Sequence, residues 1–344
     1  MQMKPSVEFH AKKTTIPDNG TSKPIMSQIW SKSGNCPSGT IPVRRVSREE
    51  ISRASSPSQF GRKTHQRYSF LDNALEHKGN YNFTAETSNG GRPWRHSEAF
   101  AVALGFNYLG AQSDINVWNT PRVQNGDYST GQIWLFNGIA STFESVEAGW
   151  MVNPSVFGDS RARLFTYWTD DAYDKTGCIN LLCSGFVQIT SRFALGAALD
   201  PVSHTNGDQY EIFVSIFLDP YTHNWWLTFG NNLMGYWPGN LFGLLQGSAT
   251  AVQFGGQVHS PNVRKKPHTR TAMGSGEWAS KLFKKACYHT NMRIKDFSLH
   301  IKYPQWLSEY ADEYNCYSTK LHRDRPNSEP RFYFGGPGQN RRCP

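Results

Sequence analysis

The chain has 344 residues, enough for one large all-β domain or for two domains of ordinary size. It contains no run of about 18 apolar residues, which excludes a membrane-spanning helix. We therefore expect no membrane partner. Aromatic residues make up 14% of the chain, and this composition favours strands and aromatic clefts over helical bundles.

The formal net charge of +9 suggests nucleic acid as one possible class of partner. The basic residues fall in separated short groups, such as Arg44 and Arg45 or Arg341 and Arg342, and form no long arginine-rich arm. No zinc-finger, RNA-recognition or helix-turn-helix signature accompanies them. We therefore expect no nucleic-acid partner.

The first part of the chain, residues 1 to about 90, is polar and rich in Ser, Lys, Arg and Asn. This composition predicts a poorly ordered leader, and its first 20 residues contain no apolar stretch typical of a secretory signal. One segment within the leader, residues 29 to 51, has the composition of an ordered stretch.

The second part, residues 91 to 344, consists of short strand-length segments bounded by Gly, Pro, Asn or Asp. Two segments, 240 to 249 and 277 to 286, have a pattern that predicts short helices. Many short strands with few helices predict an all-β, antiparallel β-sandwich. The strand-like segments are INVWN (115 to 119), GQIWLF (131 to 136), ARLFTYWT (162 to 169), GFVQI (185 to 189), QYEIFVSIFLD (209 to 219) and NWWLTF (224 to 229).

The six cysteines indicate an oxidising environment. Their spacing, without a matching histidine cluster, fits zinc poorly and favours two disulfides, Cys178–Cys183 and Cys316–Cys343. Cys36 and Cys287 have no evident partner, and spacing alone does not fix the connectivity. We expect neither a metal nor another cofactor.

The segment ESVEAGW, residues 144 to 150, places a carboxylate in a predicted strand. Because side chains alternate between the faces of a strand, Glu147 lies on the face opposite to Glu144, and its partner must come from another strand. The segment 249 to 260 alternates in the same way and puts Gln253 and Gln257 on one face, with Gly255 between them. We interpret the glycines there as room for a substrate backbone.

A carboxylate beside a carboxamide on a concave sheet is a workable hydrolytic pair. Glu147 would take a proton from water, and Gln257 would donate an N–H group to the developing oxyanion, with Gln253 as the alternative second position. The aromatic candidates for the lining of the cleft are Trp150, Trp226 and Tyr236.

Several longer runs of residues occur in a specific order: ESVEAGWMVNPSVFGDSRARLFTYWTDDAYDKTGCINLLCSGFVQ, NWWLTF, MGYWPGNLF, VQFGGQV, TAMGSG and YFGGPGQNRRCP. In these runs, which span roughly residues 94 to 344, the chain resembles the neprosin family of plant glutamic peptidases. The segment IWSKSGNCPSGTIPVRR resembles the end of that family's N-terminal activation segment. The resemblance implies a secreted proenzyme that is activated by cleavage between about residues 60 and 93 and that cleaves peptide bonds, after proline in the best-known member.

The resemblance also implies two catalytic glutamates, and this chain keeps one of them. The first carries over to Glu147, and the second falls on Gln257, or on Gln253, so the second carboxylate is replaced by an amide. Two functions follow: an acid-pH endopeptidase with a Glu/Gln pair, as in the related fungal glutamic peptidases, or a non-catalytic relative that binds peptides or cell-wall glycans. We expect a monomer with a peptide or protein partner, and the positive charge adds anionic cell-wall polymers as a hypothesis.

Overall fold

A computed structural model describes residues 3 to 7, 22 to 24, 28 to 34, 36 to 37, 39 to 54, 56 to 63, 95 to 138, 142 to 326 and 328 to 344. The fold of these residues is mostly antiparallel β-sheet, which confirms the predicted class. Their α-helices are single short turns, α1 (Arg48–Ser52) and α2 (Pro154–Phe157). No helix in these ranges is both long and apolar enough to cross a bilayer.

The described strands are β1 (Ser22–Pro24), β2 (His96–Asn116), β3 (Tyr128–Asn137), β4 (Glu144–Val152), β5 (Arg163–Thr169), β6 (Val187–Gln188), β7 (Gln209–Leu218), β8 (Trp225–Phe229), β9 (Asn232–Trp237), β10 (Ala249–His259), β11 (Cys287–Asp296), β12 (Ile301–Lys302), β13 (Ser308–Ala311), β14 (Ser318–His322) and β15 (Arg331–Gly335). The main order is β5-β4-β3-β10-β2-β7-β8-β9-β6. Among the described pairs, β1 with β7 is parallel and the others are antiparallel.

Strand β2 belongs to both halves of the sheet. Its first part, up to Tyr108, pairs with β10 and β13, and its last part pairs with β7 and β11. The exposed residues 105 to 107 separate the two parts.

Both faces of β4 are buried. Val146, Ala148 and Trp150 point into the main hydrophobic core, whereas Met151, on the same face as Glu147, belongs to a second cluster rich in aromatic rings. Phe60 of the leader packs against this second cluster. The side of the sheet that carries Glu147, called here the Glu147 face, is therefore covered in part by the leader.

The two predicted helices are wrong. The segment 240 to 249 contains only a 3₁₀ turn at Gly239–Leu241, because the Glu144 carboxylate accepts hydrogen bonds from the backbone N–H groups of residues 243 to 245 and holds them in a loop. The segment 277 to 286 contains only a 3₁₀ turn at Ala279–Lys281. It ends there because Leu282 and Lys284 adopt left-handed backbone conformations, with φ of 58° and 65°.

Both predicted disulfides, Cys178–Cys183 and Cys316–Cys343, are present and confirmed. Cys36 and Cys287 are free thiols, and Cys287 is buried. The first disulfide closes the short loop after β5, and the second ties the end of the chain to the segment before β14.

Candidate active site

Glu147 lies in the middle of β4, level with Trp134 on β3 and Tyr167 on β5. The strands approach closely here because Gly149 has no side chain. A Cβ at Gly149 would lie 2.1 Å from the carbonyl oxygen of Gly131 on β3. The glycine in EAGW therefore serves the packing of β4 against β3.

The Glu147 carboxylate is fully buried and accepts four hydrogen bonds. Lys63 Nζ lies 2.5 Å and Gln132 Nε2 2.6 Å from Oε2. Ser145 Oγ donates to Oε1 at 3.0 Å, and the Tyr173 hydroxyl donates to the same oxygen. Such a set of donors fixes the position of the carboxylate, which is what a reactive group requires.

Lys63 reaches this site from the leader, and its side chain is only 1% exposed. The ammonium lies 5.1 Å and 5.2 Å from the ring centroids of Tyr167 and Tyr173, within the range of cation–π attraction. The Lys63 backbone N–H also donates to the Tyr167 hydroxyl at 2.7 Å. Sequence reasoning missed Lys63, since nothing in its local pattern separates it from the other lysines of a polar leader.

Gln257 lies on the Glu147 face of β10, directly opposite Glu98 on β2. Its Nε2 donates to Glu98 Oε1 at 2.6 Å, and its Oε1 accepts from the Tyr128 hydroxyl at 2.9 Å. Both Glu98 and Gln257 are buried. Sequence reasoning also missed Glu98, although its alternation with Phe100 along β2 was available as a signal.

Two histidines flank this pair, the buried His96 and the partly buried His259. His96 Nε2 lies 2.9 Å from the Tyr128 hydroxyl and 3.2 Å from His259 Nδ1. Burial, with Arg95 and Lys63 nearby, lowers the pKa of His259 to about 3, and burial, with His259, Lys63 and Arg95 nearby, holds the pKa of His96 well below its usual range. The Lys63 charge thus acts on the histidines beside Gln257 while its Nζ contacts Glu147, so Lys63 links the two parts of the site.

Gln253, the alternative second position, lies level with Glu147, with only β3 between their strands. Two strand spacings put their backbones about 10 Å apart. The Gln253 amide nitrogen and oxygen, and the Gln132 Oε1 atom, are buried without a hydrogen-bond partner among the described residues. Polar atoms in that state are available to a ligand.

The predicted aromatic lining needs correction. Trp150 lies on the face opposite to Glu147, in the main core, where its Nε1 donates to the Asn116 carbonyl at 2.9 Å. Trp226 is fully buried and packs against Tyr236, with ring centroids 4.7 Å apart. Their strands, β8 and β9, are separated from β4 by β3, β10, β2 and β7. The rings that surround Glu147 are instead those of Trp134, Tyr167 and Tyr173.

The glycines of β10 do not provide the predicted room for a substrate. A Cβ at Gly255 would lie 2.2 Å from the Ala99 carbonyl oxygen, and one at Gly256 would lie 2.5 Å from the Phe334 ring. Their role is close packing against neighbouring elements. In the described residues, one set of candidate metal ligands lies close together, His268 with Cys316 and Cys343, but the two sulfur atoms are joined in a disulfide.

Two family models match this chain, namely Neprosin over residues 125 to 337 and Neprosin activation peptide over residues 1 to 87. The class is thus a glutamic-type peptidase at the level of the family. The chain belongs to the neprosin family.

Several solved structures are similar to this one at low identity. Scytalido-glutamic peptidase with a transition state analog inhibitor is 10% identical, with a TM-score of 0.36, over 70% of this chain and 97% of that chain. CG-16, a homodimeric agglutinin from chicken liver, is 10% identical, with a TM-score of 0.24, over 46% and 95%. The beta-porphyranase BpGH16B from Bacteroides plebeius is 10% identical, with a TM-score of 0.29, over 60% and 68%.

Proposed function

We propose that this chain is a secreted proenzyme of a glutamic-type endopeptidase that works at acid pH and cleaves after proline. Membership of the family supports the peptidase class. The Glu147 carboxylate is the observation that assigns the function to particular residues. It is fully buried, accepts hydrogen bonds from four donors and contacts a lysine of the leader.

In this proposal, Glu147 is the general base. When the leader leaves, a water molecule takes the place of the Lys63 ammonium beside Oε2, and three donors, Gln132, Ser145 and Tyr173, remain to hold the carboxylate. Glu147 removes a proton from the water as its oxygen attacks the scissile carbonyl, and later gives that proton to the departing amine.

The second group is the Gln257 amide, whose N–H would stabilise the oxyanion of the tetrahedral intermediate. We place this group at Gln257, the position that the resemblance assigns to the family's second glutamate, and keep Gln253, which lies level with Glu147, as the alternative. Lys63 itself blocks Oε2, and its departure from the site is the step that activates the enzyme.

The test is cleavage of a quenched-fluorescent peptide containing proline, from acid to neutral pH, by the full chain and by its Lys63→Ala variant. Glu147→Gln is expected to lower turnover by a factor of about 10² to 10⁴, the usual contribution of a general base. Gln257→Ala and Gln253→Ala, made in parallel, separate the two candidates for the second position. A folded chain that binds the peptide but never cleaves it would instead identify a binding protein.

A further inference from the structure

The Gln257 amide is held between an acidic and a phenolic neighbour. Its Nε2 donates to the Glu98 carboxylate at 2.6 Å, and its Oε1 accepts from the Tyr128 hydroxyl at 2.9 Å. These side chains are all buried, with exposed fractions of 0% for Gln257, 2% for Glu98 and 5% for Tyr128. Gln257 on β10 and Glu98 on β2 lie at directly opposite positions of adjacent strands.

The two ends of a carboxamide are not equivalent. Nε2 is the donor end of the amide, and it faces the Glu98 carboxyl, which accepts the hydrogen bond. Burial raises the pKa of Tyr128 well above its usual range, with the charges of Glu147 and Glu98 adding to the effect, so the phenol keeps the proton that it donates to Oε1. The direction of the Gln257 amide is therefore set by its neighbours.

We propose that Glu98 is a positioning residue for Gln257, and that its carboxylate decides which end of the amide faces a substrate carbonyl. The proposal rests on the function given above. The sequence replaces the second glutamate of the site by Gln257, and the fold brings a carboxylate from the neighbouring strand into contact with that amide. A carboxyl group that gains a proton can donate as well as accept, so contact with Glu98 would then no longer require Nε2 on that side of the amide.

The other charged and titratable groups around Glu98 come from several elements. His96 and Arg95 lie on or beside its own strand, Tyr128 lies on β3 and His259 on β10. Lys63 comes from the leader. Asp312, which follows β13, accepts a hydrogen bond from the Glu98 backbone N–H at 2.8 Å and pairs with Arg264 at 2.9 Å. Asp312 is therefore a neighbour of the Glu98 backbone, and Glu98 is the carboxyl that faces Gln257.

The kinetic test uses the full chain with Lys63→Ala, so that Glu147 is accessible in every sample. Adding Glu98→Gln is expected to lower kcat by about tenfold or more and to change KM by less than about twofold, because a misdirected oxyanion donor fails in the transition state. The shape of the pH profile is also expected to change. Glu98→Asp, which keeps a carboxylate, is expected to recover part of kcat. The control is Asp312→Asn, which should leave the shape of the pH profile unchanged. Equal effects of Glu98→Gln and Asp312→Asn would overturn the proposal.

A second measurement needs no turnover. In the unaltered full chain, labelled with ¹⁵N at the side-chain amides of glutamine, the Gln257 resonance is assigned as the one lost in Gln257→Glu. We expect this resonance to shift with pH and expect Glu98→Gln to abolish the shift. A Gln257 resonance that responds to neither pH nor Glu98→Gln would overturn the proposal. A different result would overturn the proposed function alone: the Gln257 resonance responds to pH and to Glu98→Gln, but no turnover depends on Glu147.

Discussion

Lys63 Nζ lies 2.5 Å from Glu147 Oε2, and the two side chains are 1% and 0% exposed. A buried charge is tolerated when it is paired or hydrogen-bonded, and the Lys63 ammonium of the leader has the Glu147 carboxylate of the sheet as its charged partner. The ion pair joins residues that are 84 positions apart in the chain.

Replacing Lys63 by alanine is expected to loosen the leader. Without the ammonium, the buried Glu147 charge is uncompensated, at a cost of about 3–5 kcal/mol, and water can relieve it only by entering beneath the leader. Limited proteolysis should therefore remove the leader of Lys63→Ala faster than that of the parent. Lys32→Ala, which alters an exposed lysine of the same leader, is the control. Equal rates for both variants would contradict a specific role of the ion pair.

Acidification is expected to destabilise the Glu147 face through its histidines. The pKa of His259 is lowered to about 3 in the folded chain from an ordinary value of 6.5. Its stabilising contribution is therefore complete above pH 6.5 and is lost as the pH falls from 6.5 towards 3, because the unfolded chain binds the proton more tightly. The melting temperature of His259→Gln should fall less steeply over this interval than that of the parent. The exposed His204 provides the control substitution.

Glu144 is expected to be a structural carboxylate. It accepts hydrogen bonds from the backbone N–H groups of Gly243, Leu244 and Leu245 at 2.8, 2.9 and 2.7 Å. Glu144→Ala leaves these donors unsatisfied and should lower the free energy of unfolding by about 3 kcal/mol. Hydrogen exchange should accelerate at those amides, and less so in Glu144→Gln, which keeps one acceptor oxygen. Unchanged exchange in Glu144→Ala would contradict this role.

The two free thiols are expected to differ in reactivity. Cys287 is fully buried, its Sγ donates to the Asn116 carbonyl at 3.2 Å, and burial raises its pKa well above the usual range. Cys36 is only partly buried. A thiol reagent should therefore modify Cys36 in the folded chain and Cys287 only after denaturation. Cys36→Ser should remove the early phase, and its persistence in that variant would contradict the assignment.

The alternation of side chains along β4 predicted correctly that Glu144 and Glu147 lie on opposite faces. Alternation did not predict which strands lie beside β4, because that depends on pairing between distant segments. Pairing between distant segments also puts Glu98 beside Gln257, across 159 positions, and Lys63 comes from a leader whose local pattern does not distinguish it. The predicted helix at 240 to 249 failed in the same way, because Glu144, about 100 positions earlier, takes up its backbone donors.

Strand β2, which is 21 residues long, carries Glu98 near its start and ends in the other half of the sheet. The same strand that places Glu98 beside Gln257 therefore also pairs with β7 and β11. Pairing at the far end of β2 thus contributes to holding in place the strand that carries Glu98. Engineering of this chain for durability could therefore begin far from its chemistry, at the strand junctions of the opposite half.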